Sequence, residues 1–146
     1  MIPRYRAWGR NENYPGTPSE KFEMFYDVSV VTTYQDKVQH VIADFGMYNG
    51  SEYNGTEIID YTLMQSTGLT DKDGKEIFEG DILSIETDEE NVKVEVSWDS
   101  KHALFVFESK KYNEKEALGE LFEDNSYPFK IIGNIHTNPE LLEVEK

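Results

Sequence analysis

Thr67-Gly68-Leu69-Thr70-Asp71-Lys72-Asp73-Gly74-Lys75-Glu76-Ile77-Phe78-Glu79-Gly80-Asp81-Ile82 is the stretch on which the fold turns. Its aspartates and glycines invite a calcium-loop reading, and their spacing refuses it. An EF-hand loop needs acids at positions 1, 3 and 5, glycine at 6 and glutamate at 12. Counting from Asp71 puts Gly74 at the fourth place; counting from Leu69 puts Gly74 correctly but leaves Leu69 and Gly80 where carboxylates belong. A phosphate loop fails as well, because Gly68 and Gly74 stand one residue too far apart and Lys75 is followed by Glu76. Turn chemistry fits better. Asp73-Gly74 is a favoured pair for a two-residue hairpin turn, since both positions tolerate positive φ. Gly80-Asp81 marks a second tight bend before an apolar run. The stretch reads as hairpin, turn, strand, with Gly68, Asp73, Gly74, Gly80 and Asp81 as turn-formers.

Alternation dominates on either side. Over 22–32, Phe22, Met24, Tyr26, Val28, Val30 and Thr32 share one side of an extended chain, as in a half-buried strand. Val92, Val94, Val96 and Trp98 alternate with Lys93, Glu95 and Ser97. After the turn residues Asp99-Ser100, the run Ala103–Phe107 is apolar on both faces and predicts a central strand. Shorter candidates are Tyr5–Trp8, Val38–Phe45, Glu57–Leu63, Asp81–Glu86 and Lys130–Ile135. Many short strands with turn signals between them predict a mainly β, β-rich α+β chain built as a small barrel or sandwich.

Helix is scarce. Asn113 followed by Glu116 reads as an N-cap with its capping-box partner, which predicts a short amphipathic helix over 114–123. Asn138 can cap a final turn with Pro139 at its first position, docked by Leu141 and Leu142. Asn11–Ser19 reads as a loop, and so does Asn49–Thr56 with its two Asn-Gly pairs. Asp88-Glu89-Glu90 reads as a hairpin loop.

The chain has 146 residues, enough for one domain or a domain with an appendage. It contains no cysteine, which excludes disulfides, thiolate metal sites and a cysteine nucleophile. Neither a signal peptide nor a long apolar span is present, so the expectation is a cytoplasmic protein with no membrane partner. The formal net charge of −15 opposes nonspecific attraction to nucleic acid. The first ten residues break the trend, with Arg4, Arg6 and Arg10 and no acid. Trp8 lies among these arginines, and this residue pairing is favoured at protein interfaces. Arg4, Arg6 and Trp8 are therefore the interaction candidates.

No catalytic or metal signature stands out. His40, His102 and His136 fall on separate predicted elements without paired ligand spacing. No serine sits in a nucleophile elbow. With 29 acidic residues, some carboxylates will approach each other in any fold. The eight phenylalanines, nine tyrosines and two tryptophans mostly signify packing between strands. The reading carries no cofactor.

The segment Leu63–Leu83 closely resembles the signature of the YopX family of phage and prophage proteins. Ile2-Pro3-Arg4-Tyr5-Arg6-Ala7-Trp8 looks like that family's opening. Ile132-Gly133-Asn134-Ile135, followed by Asn138-Pro139-Glu140-Leu141-Leu142, looks like its end. Residues 11–60 and 87–128 match only in general character. The resemblance implies an SH3-like small barrel holding Gly80–Ile135 and preceded by a β-rich N-terminal portion. The boundaries on that reading are 1–66 for the N-terminal portion and 67–146 for the barrel with its C-terminal helical turn. It further implies a homo-oligomer in an infected bacterium's cytoplasm. It transfers no catalytic residue, and the matching glycines, Gly133 included, look like fold determinants.

Four functions compete on these grounds. The first is a non-enzymatic, oligomeric phage accessory protein acting on a protein partner. The second is an acidic mimic of DNA that inhibits a host nucleic-acid-binding protein. A nucleic-acid-binding small barrel, opposed by the charge, is third. A hydrolase built on a carboxylate pair is fourth, and a close acidic pair in a hollow would keep it standing.

Overall fold

The computed structural model describes residues 4–35, 37–49, 52–123 and 127–143. The chain is mainly β and divides into two compact units, Met1–Gln65 and Ser66–Lys146. In the first unit β1 (Tyr5–Asn11), β2 (Glu23–Thr32), β3 (Gln39–Asn49) and the leading part of β4 (Glu52–Thr70) are all antiparallel neighbours. β1 pairs β2, β2 pairs β3, β3 pairs β4 and β4 returns to β1, so the ladder closes on itself.

Closure demands sharp coiling, and small residues and bulges supply it. Ala7, Val41, Ala43 and Ile58 form the buried centre. A Cβ on Gly9 would stand 2.8 Å from Ile58 Cγ2 and 2.9 Å from Tyr61 Cβ, so only glycine lets β1 and β4 approach this closely. Between Trp8 and Arg10 the register slips, and Asp60 takes up the slack at φ 50°. Its carboxylate accepts from Arg10 Nε at 2.7 Å.

A second slip corrects the face assignment over 22–32. Tyr5 pairs Val28 while Ala7 pairs Phe25, so β2 carries one residue more than β1 across that interval. The extra residue inverts the alternation. Phe25, Val28 and Val30 all pack on the core, whereas Phe22 and Tyr26 are exposed.

In the second unit the end of β4 forms a hairpin with β5 (Glu76–Phe78). Then β6 (Asp81–Glu86), β7 (Asn91–Asp99), β8 (Leu104–Ser109), β9 (Glu114–Ala117) and β10 (Phe129–Asn134) build a five-stranded antiparallel sheet in the order β10-β6-β7-β8-β9. One face carries the core of Ile77, Leu83, Ile85, Val94, Val96 and Phe129, roofed by Leu118 and the short helix α1 (Gly119–Glu123). The SH3-like closure implied by the resemblance is carried no further than this ladder.

Several expectations need correction. The helix over 114–123 is strand β9 followed by a single helical turn. Asn113 stands at φ 52° in the β8–β9 turn, where it cannot cap a helix. The loop over Asn49–Thr56 is strand on both sides of residues 50–51, which lie outside the described residues. The hairpin loop around Asp73-Gly74 has three residues rather than two: Gly74 N–H donates to Asp71 O at 3.0 Å, and Asp71 N–H to Lys75 O at 2.9 Å. Gly74 at φ 80° completes that longer loop. At the C-terminal turn Pro139–Leu142, Asn138 makes no side-chain cap; its Oδ1 accepts from Asn134 N–H at 3.3 Å.

Candidate functional site

In the turn segment the Asp71 and Asp81 side chains bond to backbone groups. Asp71 Oδ1 accepts from the N–H groups of Asp73 and Lys75, both at 2.9 Å, and Oδ2 accepts from Ile131 N–H at 2.9 Å. Burial alone would push this carboxyl up. Those three backbone donors and the Lys75 charge outweigh burial and hold it below the ordinary aspartate range. Lys72 N–H also donates to Phe129 O at 3.1 Å. The loop thereby covers the outer edge of β10. Asp81 is buried and takes Phe78 N–H at 2.8 Å across a turn in which Gly80 sits at φ 85°. Gly68 lies at φ 78° beside the Ser66 hydroxyl. A Cβ on Gly133 would meet Asn138 Oδ1 at 2.5 Å.

Arg6 is buried, with its guanidinium 5.9 Å from the Tyr26 ring centre. Trp8 is half-buried and stacks on Phe22 at 6.3 Å. Arg4 is exposed. The three candidates thus follow one another along β1 and its approach, with Arg6 buried.

Two hollows bring carboxylates together. The smaller, about 440 Å³, belongs to the first unit and is lined by Glu12, Tyr14, Gly55, Thr56 and Glu57. Glu57 Oε1 lies 2.5 Å from His40 Nδ1. The Glu12 carboxyl is raised, chiefly by its hydrogen bond to Glu57, then by desolvation and the Glu57 charge, with His40 opposing. Glu12 and Glu57 form a close acidic pair of the kind a carboxylate hydrolase would need. Its surroundings are open, since Tyr14 is 83% exposed.

The larger hollow, about 700 Å³, lies within the second unit over the core face of the sheet. Pairing explains its shape. Val96 faces Phe107, which faces Glu116; one row on, Ser109 faces Glu114. Facing residues project to the same side, so the surface passes from apolar on β6 and β7 to acidic on β9. Ile85, Val92, Val94, Phe107 and Leu121 make the floor. Glu89 and Glu90 come from the β6–β7 loop, Glu114 and Glu116 from β9, and Glu120 from α1. Tyr112 and Tyr127 complete the wall. No lysine or arginine lines it among the described residues. Lys111 Nζ stands nearby, 2.5 Å from Glu90 Oε2 and 5.4 Å from the Tyr112 ring centre. The lysines gather instead at a separate hollow of about 430 Å³, where Lys93, Lys110 and Lys111 meet Leu141 and Leu142.

The sequence gives no warning of this cleft, because the capping-box pattern makes β9 look helical. Glu114 and Glu116 alternating about Lys115 was the available signal. Among the described residues no three histidine, aspartate or glutamate side chains are grouped to hold a metal ion. His102 instead pairs with Asp99 at 2.8 Å, and His136 lies in the turn after β10. No described helix is long and apolar enough to cross a membrane.

Comparisons with known proteins agree with this architecture. The family model described as YopX protein matches residues 4–143. The crystal structure of protein EF1440 from Enterococcus faecalis is similar, with a TM-score of 0.62 and 29% identity over 98% of this chain and 99% of that one. The crystal structure of yopX from Bacillus subtilis is also similar, with a TM-score of 0.58 and 19% identity over 96% of this chain and 98% of that one. No curated protein matches the chain.

Proposed function

The chain belongs to the YopX family, and we propose that it is a non-enzymatic interaction protein whose acid-rimmed cleft takes a basic, partly apolar segment of a protein partner. The observation that carries this reading is an apolar floor, half-buried at Val92, Phe107 and Leu121, beside five carboxylates, with no basic side chain among the described lining residues. Lysine and arginine have long apolar stems and charged heads, so the stem suits Val92 and Phe107 while the head meets the glutamates. A volume near 700 Å³ is of the size that holds a few side chains. In its biological setting we read the protein as a phage or prophage accessory factor, acting as a homo-oligomer in the bacterial cytoplasm. Exposed Tyr26, Val31, Tyr34 and Val38 on the β2–β3 hairpin favour further protein contacts.

Calorimetric titration with a lysine-bearing peptide is expected to show binding that weakens as salt rises, with a glutamate-bearing peptide inert. Equal affinity for both peptides, or none for either, rejects the cleft as a cation site. Light scattering on the same sample reports the oligomer, and a strict monomer rejects that part. The second reading, a mimic of DNA phosphates, draws on the charge of −15. It is weakened by Lys72 on Glu86 at 2.8 Å and Lys111 on Glu90, which interrupt the acidic surface.

A further inference from the structure

The two edges of the second unit's sheet are treated differently. The β10 edge is covered, because Phe129 O and Ile131 N–H are taken by Lys72 N–H and the Asp71 carboxylate. The β9 edge has no ladder beyond β8 among the described residues, and Glu114, Lys115 and Glu116 are exposed. Its open groups can be named. Leu118 N–H donates to Phe105 O at 2.9 Å, and antiparallel ladders alternate hydrogen-bonded with non-hydrogen-bonded pairs. Glu114 and Glu116, opposite Ser109 and Phe107, therefore turn their backbone groups toward β8. Lys115 and Ala117 turn theirs outward. A free edge next to a concave, partly apolar surface is what an added strand requires.

We propose that the partner segment binds as an extended strand along β9, with lysine or arginine at alternate positions over Glu114 and Glu116. This rests on the cleft reading above and adds how the segment lies. Charge selects the occupant. A second β9 would set glutamate against glutamate, which opposes pairing with a copy of itself, whereas a basic strand gains at the same positions. The short length and exposed charges of β9 also guard it against indiscriminate pairing. Side chains on the cleft face of the added strand would point over Phe107 and toward Tyr112, and those on the other face would pass Lys115.

The test uses the full chain and capped heptapeptides alternating lysine and valine. In one, the amides on the edge that would face β9 are N-methylated; in another, those on the opposite edge. Strand addition predicts that the unmodified peptide slows amide exchange at Lys115 and Ala117. Methylation of one edge should weaken binding about fivefold to tenfold and methylation of the other should leave it unchanged. If the peptide binds but both methylated forms bind equally and neither amide is protected, strand addition is wrong while the cleft reading stands. If spermidine, which offers charge but no strand, binds as tightly and competes, strand addition is equally rejected. If no peptide binds even at low salt, the cleft reading fails and the inference falls with it.

Discussion

Asp71 shows how one side chain fixes a junction. It is only 6% exposed, and its carboxylate satisfies two donors inside its own hairpin loop and a third on β10, sixty residues away. An Asp71→Asn substitution keeps one acceptor oxygen but turns a donor amide toward one of these N–H groups. The expected loss is about 1–3 kcal/mol at neutral pH, the cost of an unsatisfied buried donor. The sign of the pH dependence follows from the lowered folded pKa. The stabilisation is complete above the unfolded value of about 3.9 and is lost as pH falls through the folded one. Urea titrations should therefore show a gap between parent and variant at neutral pH that narrows in acid; a gap of constant size contradicts this account. Asp73 and Asp81 were legible in the sequence as turn-formers, because each stands beside a glycine; Asp71 was not singled out. The reach to Ile131 was not legible either, since nothing local marks a contact across sixty residues.

Elements were legible where at least one face is buried and hidden where neither is. β6 was predicted to the residue and β7 nearly so, because Val92, Val94 and Val96 alternate with polar residues. β9 alternates only between kinds of charged residue, so the pattern Asn113 to Glu116 was read as a helix start. In the structure that asparagine serves a turn at positive φ instead. The bulges in β2 and β4 were likewise invisible, because each is imposed by the closing of the ladder. Like charges facing across β7 and β8 give an element-scale prediction. Glu95 lies directly opposite Glu108. Burial, chiefly, raises the Glu95 carboxyl; Lys110 opposes the shift and Glu108 adds to it. A raised folded pKa contributes stability below the unfolded value of about 4.3, lost as pH rises through the folded one. Glu95→Gln is therefore expected to raise Tm at neutral pH and to match the parent in acid. A lower Tm at neutral pH would mean that the carboxylate makes a stabilising contact.

At the scale of the whole molecule, the net charge is −15, and in the second unit charge is spread unevenly: acids line one partly apolar hollow and three lysines line another. This segregation was beyond the sequence, since the cleft draws its walls from three loops, four strands and a helical turn. The pairing of Glu12 with Glu57 in the first unit was equally out of reach, for Glu12 follows β1 and Glu57 lies in β4. The central claim is that the carboxylates of the cleft select a basic partner segment. Charge reversal with Glu116→Lys and Glu120→Lys tests it most directly, because both residues are exposed and neither supports the core. Titrated with the lysine–valine peptide at low salt, the double variant is predicted to bind at least about tenfold more weakly than the parent. Unchanged affinity in a variant that keeps the parent's circular dichroism and Tm would contradict the claim.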